Sequence, residues 1–199
     1  MRYINFASVT IAAALVISGT AAVAAPKPMD LAPTYDDAVG SDLKLEKNPK
    51  SCAITIGSLT DERRSPEMVG VFFGRAVRAP ADRDAWLRSI IDGLQSRKIA
   101  VIPASTAENA QGTARVDIAI TKAWVTNTAS NMSASIVFRV KPNHPAEASE
   151  EKSFRGGASH SSFFSGGPGE LQRAFNTAVS RGLDAMASDF HKTCGNAVL

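Results

Sequence analysis

Ala114-Arg115-Val116-Asp117-Ile118-Ala119-Ile120-Thr121-Lys122-Ala123-Trp124-Val125, and after the turn-rich Asn127 to Asn131 the segment Ser133 to Val140, decide the fold of this chain. Val116, Ile118 and Ile120 recur at every second position, the period of a half-buried strand, and the same phase carries Trp124 onto their face. Ser133 to Val140 repeats the alternation. Two long strands joined by a short polar turn pair antiparallel, and Pro142-Asn143-His144-Pro145 ends the second of them. The centre of the fold is therefore a sheet.

Upstream, Cys52 to Leu59 alternates large apolar residues at 52, 54 and 56 with small or polar ones, a further half-buried strand. The polar run Thr60 to Pro66 then leads to an extended segment, Met68 to Val77, interrupted by Gly70 and Gly74, and the two segments are expected to form a hairpin. Asp82 opens a helix whose Trp86, Leu87, Ile90, Ile91 and Leu94 share one side. Asp82 and Asp84 stand at its positive end, and Arg97 and Lys98 at its negative end. Ile99 to Ile102 is a short buried strand stopped by Pro103.

Downstream, Lys152 to Ser161 is expected as a last strand, with Gly156 and Gly157 inside it. Gly166-Gly167-Pro168-Gly169 breaks the chain before the strongest helix, in which Leu171, Phe175, Ala178, Val179, Leu183, Met186 and Phe190 recur at steps of three and four. His191 and Lys192 suit its negative end, and Gly195 is expected to terminate it. The elements predict an α+β fold: a mixed, largely antiparallel sheet with two helices packed on one face.

Residues 1–25 have the layout of a cleavable secretory signal. Arg2 gives a positive start, Val9 to Val23 an apolar middle, and Ala22-Val23-Ala24 a small-residue exit. Ser8, Thr10, Ser18, Gly19 and Thr20 dilute the segment below what a membrane anchor needs. Residues 26–50, with Pro26, Pro28, Pro33 and Pro49, read as an extended lead-in. Residues 51–199 read as a single α+β domain. A periplasmic or secreted protein is expected, with no stable membrane anchor after signal cleavage.

In an oxidising compartment the two cysteines, Cys52 and Cys194, are expected to form a disulfide tying the first strand to the last helix, the alternative being two buried free thiols. The formal net charge of +3, spread along the chain, is too small to argue for nucleic acid. Two cysteines and three scattered histidines show no metal-ligand spacing, and no cofactor is expected.

The segments Ile54 to Arg63, Trp86 to Ile91 leading to Ile99-Ala100-Val101, Val116 to Ile120 and Leu171 to Phe190 together resemble the YajG-type uncharacterised lipoproteins of the bacterial envelope. More loosely, the chain resembles the auxiliary lipoproteins of envelope transport systems. Those families are tethered by a lipidated cysteine. This chain has none near its signal exit, so the resemblance implies a soluble periplasmic variant, and it supplies no catalytic residues to carry over.

Two functions compete on the sequence. The favoured one is a non-enzymatic exported envelope protein that binds a protein partner or assists an envelope assembly or transport system. The alternative is a small periplasmic hydrolase using His160 and a nearby serine of Ser159-His160-Ser161-Ser162, although neighbours on a strand point to opposite faces and no G-x-S-x-G elbow is present. The Asp61-Glu62-Arg63-Arg64 cluster reads as solvated surface, and the glycines at 166–169 as a connection rather than a phosphate loop. Phe72, Phe73, Phe163 and Phe164 interrupt Gly- or Ser-rich stretches and are the candidate contacts to an envelope protein partner.

Overall fold

The computed structural model describes residues 29–30, 52–103, 113–128, 130–143, 150–161 and 167–196. Among the described residues eight strands form one mixed sheet: β1 (Met29–Asp30), β2 (Cys52–Asp61), β3 (Met68–Phe72), β4 (Arg75–Arg78), β5 (Ile99–Pro103), β6 (Ala114–Asn127), β7 (Asn131–Pro142) and β8 (Lys152–Ser161). Helix α1 (Arg83–Asp92) precedes a single 3-10 turn at Gln95–Arg97, and α2 (Pro168–Asn196) closes the order.

β6 organises the sheet. Its one edge pairs antiparallel with β7, which in turn pairs antiparallel with β8. Its other edge is shared by two parallel partners in succession, β2 against Ala114 to Ile120 and β3 against Val125 and Thr126. β5 lies parallel outside β2, β4 outside β3, and β1 outside β4. The long β6, β7 and β8 make the antiparallel pairing dominant by length, and the parallel part comes from β2 against β5 and β6, β3 against β6 and β1 against β4.

β2 and β3 do not form the expected hairpin. Arg63 prevents the chain from turning back: it is 7% exposed, its Nε donates to Asp61 Oδ1 at 2.8 Å, its Nη1 to the Met68 carbonyl at 2.8 Å, and its guanidinium lies 4.8 Å from the Trp86 ring centroid. The loop so pinned carries β3 onward along the same edge of β6. The hairpin forms instead between β3 and β4, inside the segment expected as one irregular strand.

Both helices cover the same face, and their apolar sides join the sheet in one continuous core. Asp82 caps α1, accepting from the Ala85 N–H at 2.9 Å. Trp86, Leu87, Ile90 and Ile91 face inward, and Trp86 stacks on Phe175 of α2 at 6.4 Å. α2 begins two residues earlier than expected: the Gly167 carbonyl accepts from Glu170 N–H at 3.1 Å, and Pro168 occupies the first helical position, where its missing N–H is no loss. At the other end the helix runs through Gly195 to Asn196 instead of stopping there. Cys52 and Cys194 are joined by a disulfide with a Cα–Cα distance of 5.7 Å, which clips the start of β2 to that last turn.

Arg97, expected as a charge at a helix end, is fully buried. Its Nε donates to Asp184 Oδ1 at 2.6 Å, Nη1 to the Gly93 carbonyl at 2.8 Å and Nη2 to Ser180 Oγ at 2.7 Å, so it bridges the end of α1 to the middle of α2. The His191 Nε2 lies 2.9 Å from the Arg97 carbonyl. The helix layer is thus held by polar as well as apolar contacts.

Candidate functional site

The four phenylalanines separate in the structure. Phe72 is only 5% exposed and packs in the core, because β3 turns its face toward the helices, so it is withdrawn as a contact residue. Phe163 and Phe164 lie outside the described residues. Phe73 stands 63% exposed at the tip of the β3–β4 hairpin.

The tip is a two-residue loop, Phe73-Gly74, with φ of +46° and +74°. Positive φ at both central positions defines a type I′ turn, which Asn-Gly or Gly-Gly makes without strain. A bulky phenylalanine in that region is an outlier. Two contacts hold it: the Phe73 N–H donates to Asn127 Oδ1 at 2.6 Å, and its ring meets that of Phe72 edge-on with centroids 4.7 Å apart. The sheet therefore presents an aromatic ring, propped from below, at a strained position.

A second surface is the sheet face away from the helices. The pairing register between β6 and β7 slips between Ile120 and Lys122, leaving Thr121 as an extra residue in β6. This bulge reverses the phase of the strand. Before it, Val116, Ile118 and Ile120 face the core; after it, Ala123 and Val125 do. Trp124, expected on the core face, is turned outward and is 38% exposed. With Arg63, Arg64, Ser65, Met68, Thr121, Lys122 and Ala123 it lines a cavity of about 250 Å³.

Farther along the same face, Glu62 and Arg139 form an ion pair, Glu151 lies 3.6 Å from Arg139 Nε, and Asp117 accepts from Ser58 Oγ at 2.9 Å and Asn143 Nδ2 at 3.1 Å. These charges satisfy one another. The Asp61-Glu62-Arg63-Arg64 run is thus not uniformly solvated, since Arg63 is buried and Glu62 is paired, while Arg64 alone of the two arginines is exposed. On the edge, β2 outruns β5 by Gly57 to Asp61, and a cavity of about 550 Å³ with Ile56, Leu59, Arg88, Ile91 and Val101 in its walls opens beside it.

His160 sits on β8 opposite Met132, exposed, with Ser159 and Ser161 directed to the other face of the strand. The alternation thus separates the imidazole from both hydroxyls, and Ser162 lies outside the described residues, as does His144. Among the described residues no three His, Cys, Asp or Glu side chains gather as a metal site, and no helix is long and apolar enough to cross a membrane. Sequence reading missed the two buried arginines and the outward Trp124; only the phase change from Ile120 to Ala123 signalled the last.

The fold class is shared with a solved protein, XCC0632 of Xanthomonas campestris, of family DUF330: 13% identity, 84% of this chain and 97% of that one covered, and a TM-score of 0.50. A minor lipoprotein of Acinetobacter baumannii (11% identity, 75% and 95% covered, TM-score 0.37) and the PelC dodecamer of Paraburkholderia phytofirmans (12%, 68% and 89%, TM-score 0.34) are more distant. Of these three, the Xanthomonas protein bears on the present fold and on nothing beyond it. No family model matches the chain, and no curated protein matches it.

Proposed function

We propose that this is a non-enzymatic exported envelope protein that binds a protein partner, in the service of an envelope assembly or transport system. The observation that carries the reading is Phe73. An exposed aromatic held at positive φ on a hairpin tip costs stability that the fold alone does not need, and strain of this kind collects where a surface has work to do. An apolar ring fixed in place before binding loses little freedom when it enters a partner's pocket, which is how interface anchors act. The signal-like layout of residues 1–25 and the resemblance to envelope lipoproteins support seeking such a partner in the envelope.

The test exploits the strain. Phe73→Asn creates the Asn-Gly sequence that the turn prefers, so the hairpin should become more stable by roughly 0.5–1 kcal/mol while the anchor is lost. With a photo-crosslinking amino acid at the neighbouring exposed Arg75, intact cells should yield a discrete crosslinked protein for the parent chain and none for the Asn variant. Equal crosslinking in both would remove Phe73 from the reading, and the absence of any crosslinked species would remove the partner.

A further inference from the structure

We propose that the open face of the sheet binds an acidic oligosaccharide, one sugar ring stacking on Trp124 and its carboxylates meeting Lys122, Arg64 and Arg155. This surface is distinct from the hairpin tip, and its ligand class follows from three features found together.

The first is how Trp124 comes to be outside. Without the extra Thr121, the alternation begun at Val116 would bury it; the bulge turns it out and gives the core the small Ala123 instead. Bulges re-aim side chains in this way beside binding sites. An indole left 38% exposed forgoes part of its burial gain, and a flat apolar ring is the kind of surface on which the C–H face of a sugar packs.

The second is what surrounds it. Across the open face the register sets Trp124 beside Ser135 and Ser135 beside Gly157, and the next row is Thr126, Ser133 and Ser159. Hydroxyls and a bare backbone border the indole. Gly157 has no internal reason to be glycine: a Cβ there would find only the Ala134 carbonyl oxygen, at 3.9 Å, and its φ lies outside the left-handed region. Its neighbour Gly156 is the contrast, since a Cβ there would strike the Ala178 carbonyl of α2. A glycine inside a strand is one of the places where another group can approach the backbone closely, and the Gly157 carbonyl already accepts from Arg181 Nη1 at 2.8 Å. With strands about 4.8 Å apart, Trp124 and Gly157 stand ~10 Å from each other, room for two linked sugar rings.

The third is charge. Lys122 and Arg155, both opposite Val137's row, run parallel to the Trp124 row about 7 Å away, and Arg64 lines the cavity on the other side. All three are exposed, and among the described residues none is in an ion pair, whereas Arg139 and Lys152 are. Unpaired cations flanking an aromatic platform with hydroxyls between them fit carboxylated sugars. A single-stranded nucleic acid would call for several stacking aromatics and a strong positive field, and here there is one exposed tryptophan and a formal charge of +3.

The experiment titrates the secreted, disulfide-bonded protein with tri-galacturonic acid, following acrylamide quenching of tryptophan fluorescence and heat by calorimetry. Trp86 is buried, so the quenchable signal belongs to Trp124. The trimer should protect Trp124, with affinity falling as salt rises, while neutral maltotriose binds at least ~10-fold more weakly. Trp124→Ala should weaken binding ~10-fold or more. Gly157→Val should do the same without lowering the melting temperature, because its side chain enters open space; the paired change Lys122→Gln and Arg155→Gln gives an independent variant on exposed positions. No binding at millimolar trimer, maltotriose binding as well, a short oligothymidylate binding more tightly, or full binding retained in Trp124→Ala would each overturn the proposal.

Discussion

Arg97 shows how one side chain can carry a layer of the fold. Its guanidinium is 0% exposed and spends its donors on Asp184, Ser180 and the Gly93 carbonyl, so the charge is compensated on both helices. Removing one partner of such a pair takes from the other buried charge its main compensation, which costs ~3–5 kcal/mol. Arg97→Met should therefore lower the denaturation midpoint by that amount. Arg97→Met with Asp184→Leu should recover much of the loss, since both charges are then gone. A single variant as stable as the parent would show that Asp184 reaches solvent and needs no partner. Nothing in the sequence distinguished this arginine from the neighbouring Lys98, because both suit the end of a helix and only the arrival of α2, 83 residues later, selects one of them.

At the scale of elements, the strands and helices were legible wherever the apolar period held. β6 and β7 follow from the alternation that opens at Val116 and resumes at Ser133, and α2 from its steps of three and four. What escaped were interruptions fixed by tertiary contacts. The extra Thr121 becomes a bulge because β7 offers Val137 against Lys122 directly after Phe138 against Ile120, and the pairing of β2 with β3 fails because Arg63 finds Trp86 and Asp61. The two glycines of β8 read only as weak points, yet they differ in kind. α2 rests on Gly156 so closely that a Cβ would meet the Ala178 carbonyl and the Gly182 nitrogen, and Gly182 in turn faces the Phe138 ring. Gly156→Ala should force the helix away and cost about 1–3 kcal/mol, read from urea unfolding. Gly157→Ala should change stability by no more than about 0.5 kcal/mol. An equal cost at both would mean that the loss arises in β8 itself and not in the helix contact.

At the scale of the whole molecule, the Cys52–Cys194 bridge closes nearly the entire folded chain, with 142 residues separating its ends. It joins the first residue of β2 to the last turn of α2, and Cys52 packs against that helix in the core. The entropic account sets an upper figure of about 5 kcal/mol for a loop of this length, with native strain and residual denatured-state order reducing it. Since both ends already dock by apolar contact, Ile54 and Ile99 on the sheet against Phe190 and Met186 on the helix belonging to one core, the fold should survive the loss of the bridge. Cys52→Ala with Cys194→Ala should then give a folded protein less stable by ~2–5 kcal/mol, with faster amide exchange confined first to the C-terminal turns of α2. An unfolded double variant would show that the bridge is required to assemble the helix layer. A loss below ~1 kcal/mol would place the stability in that layer alone, with the disulfide serving to keep the last turn of α2 closed over β2.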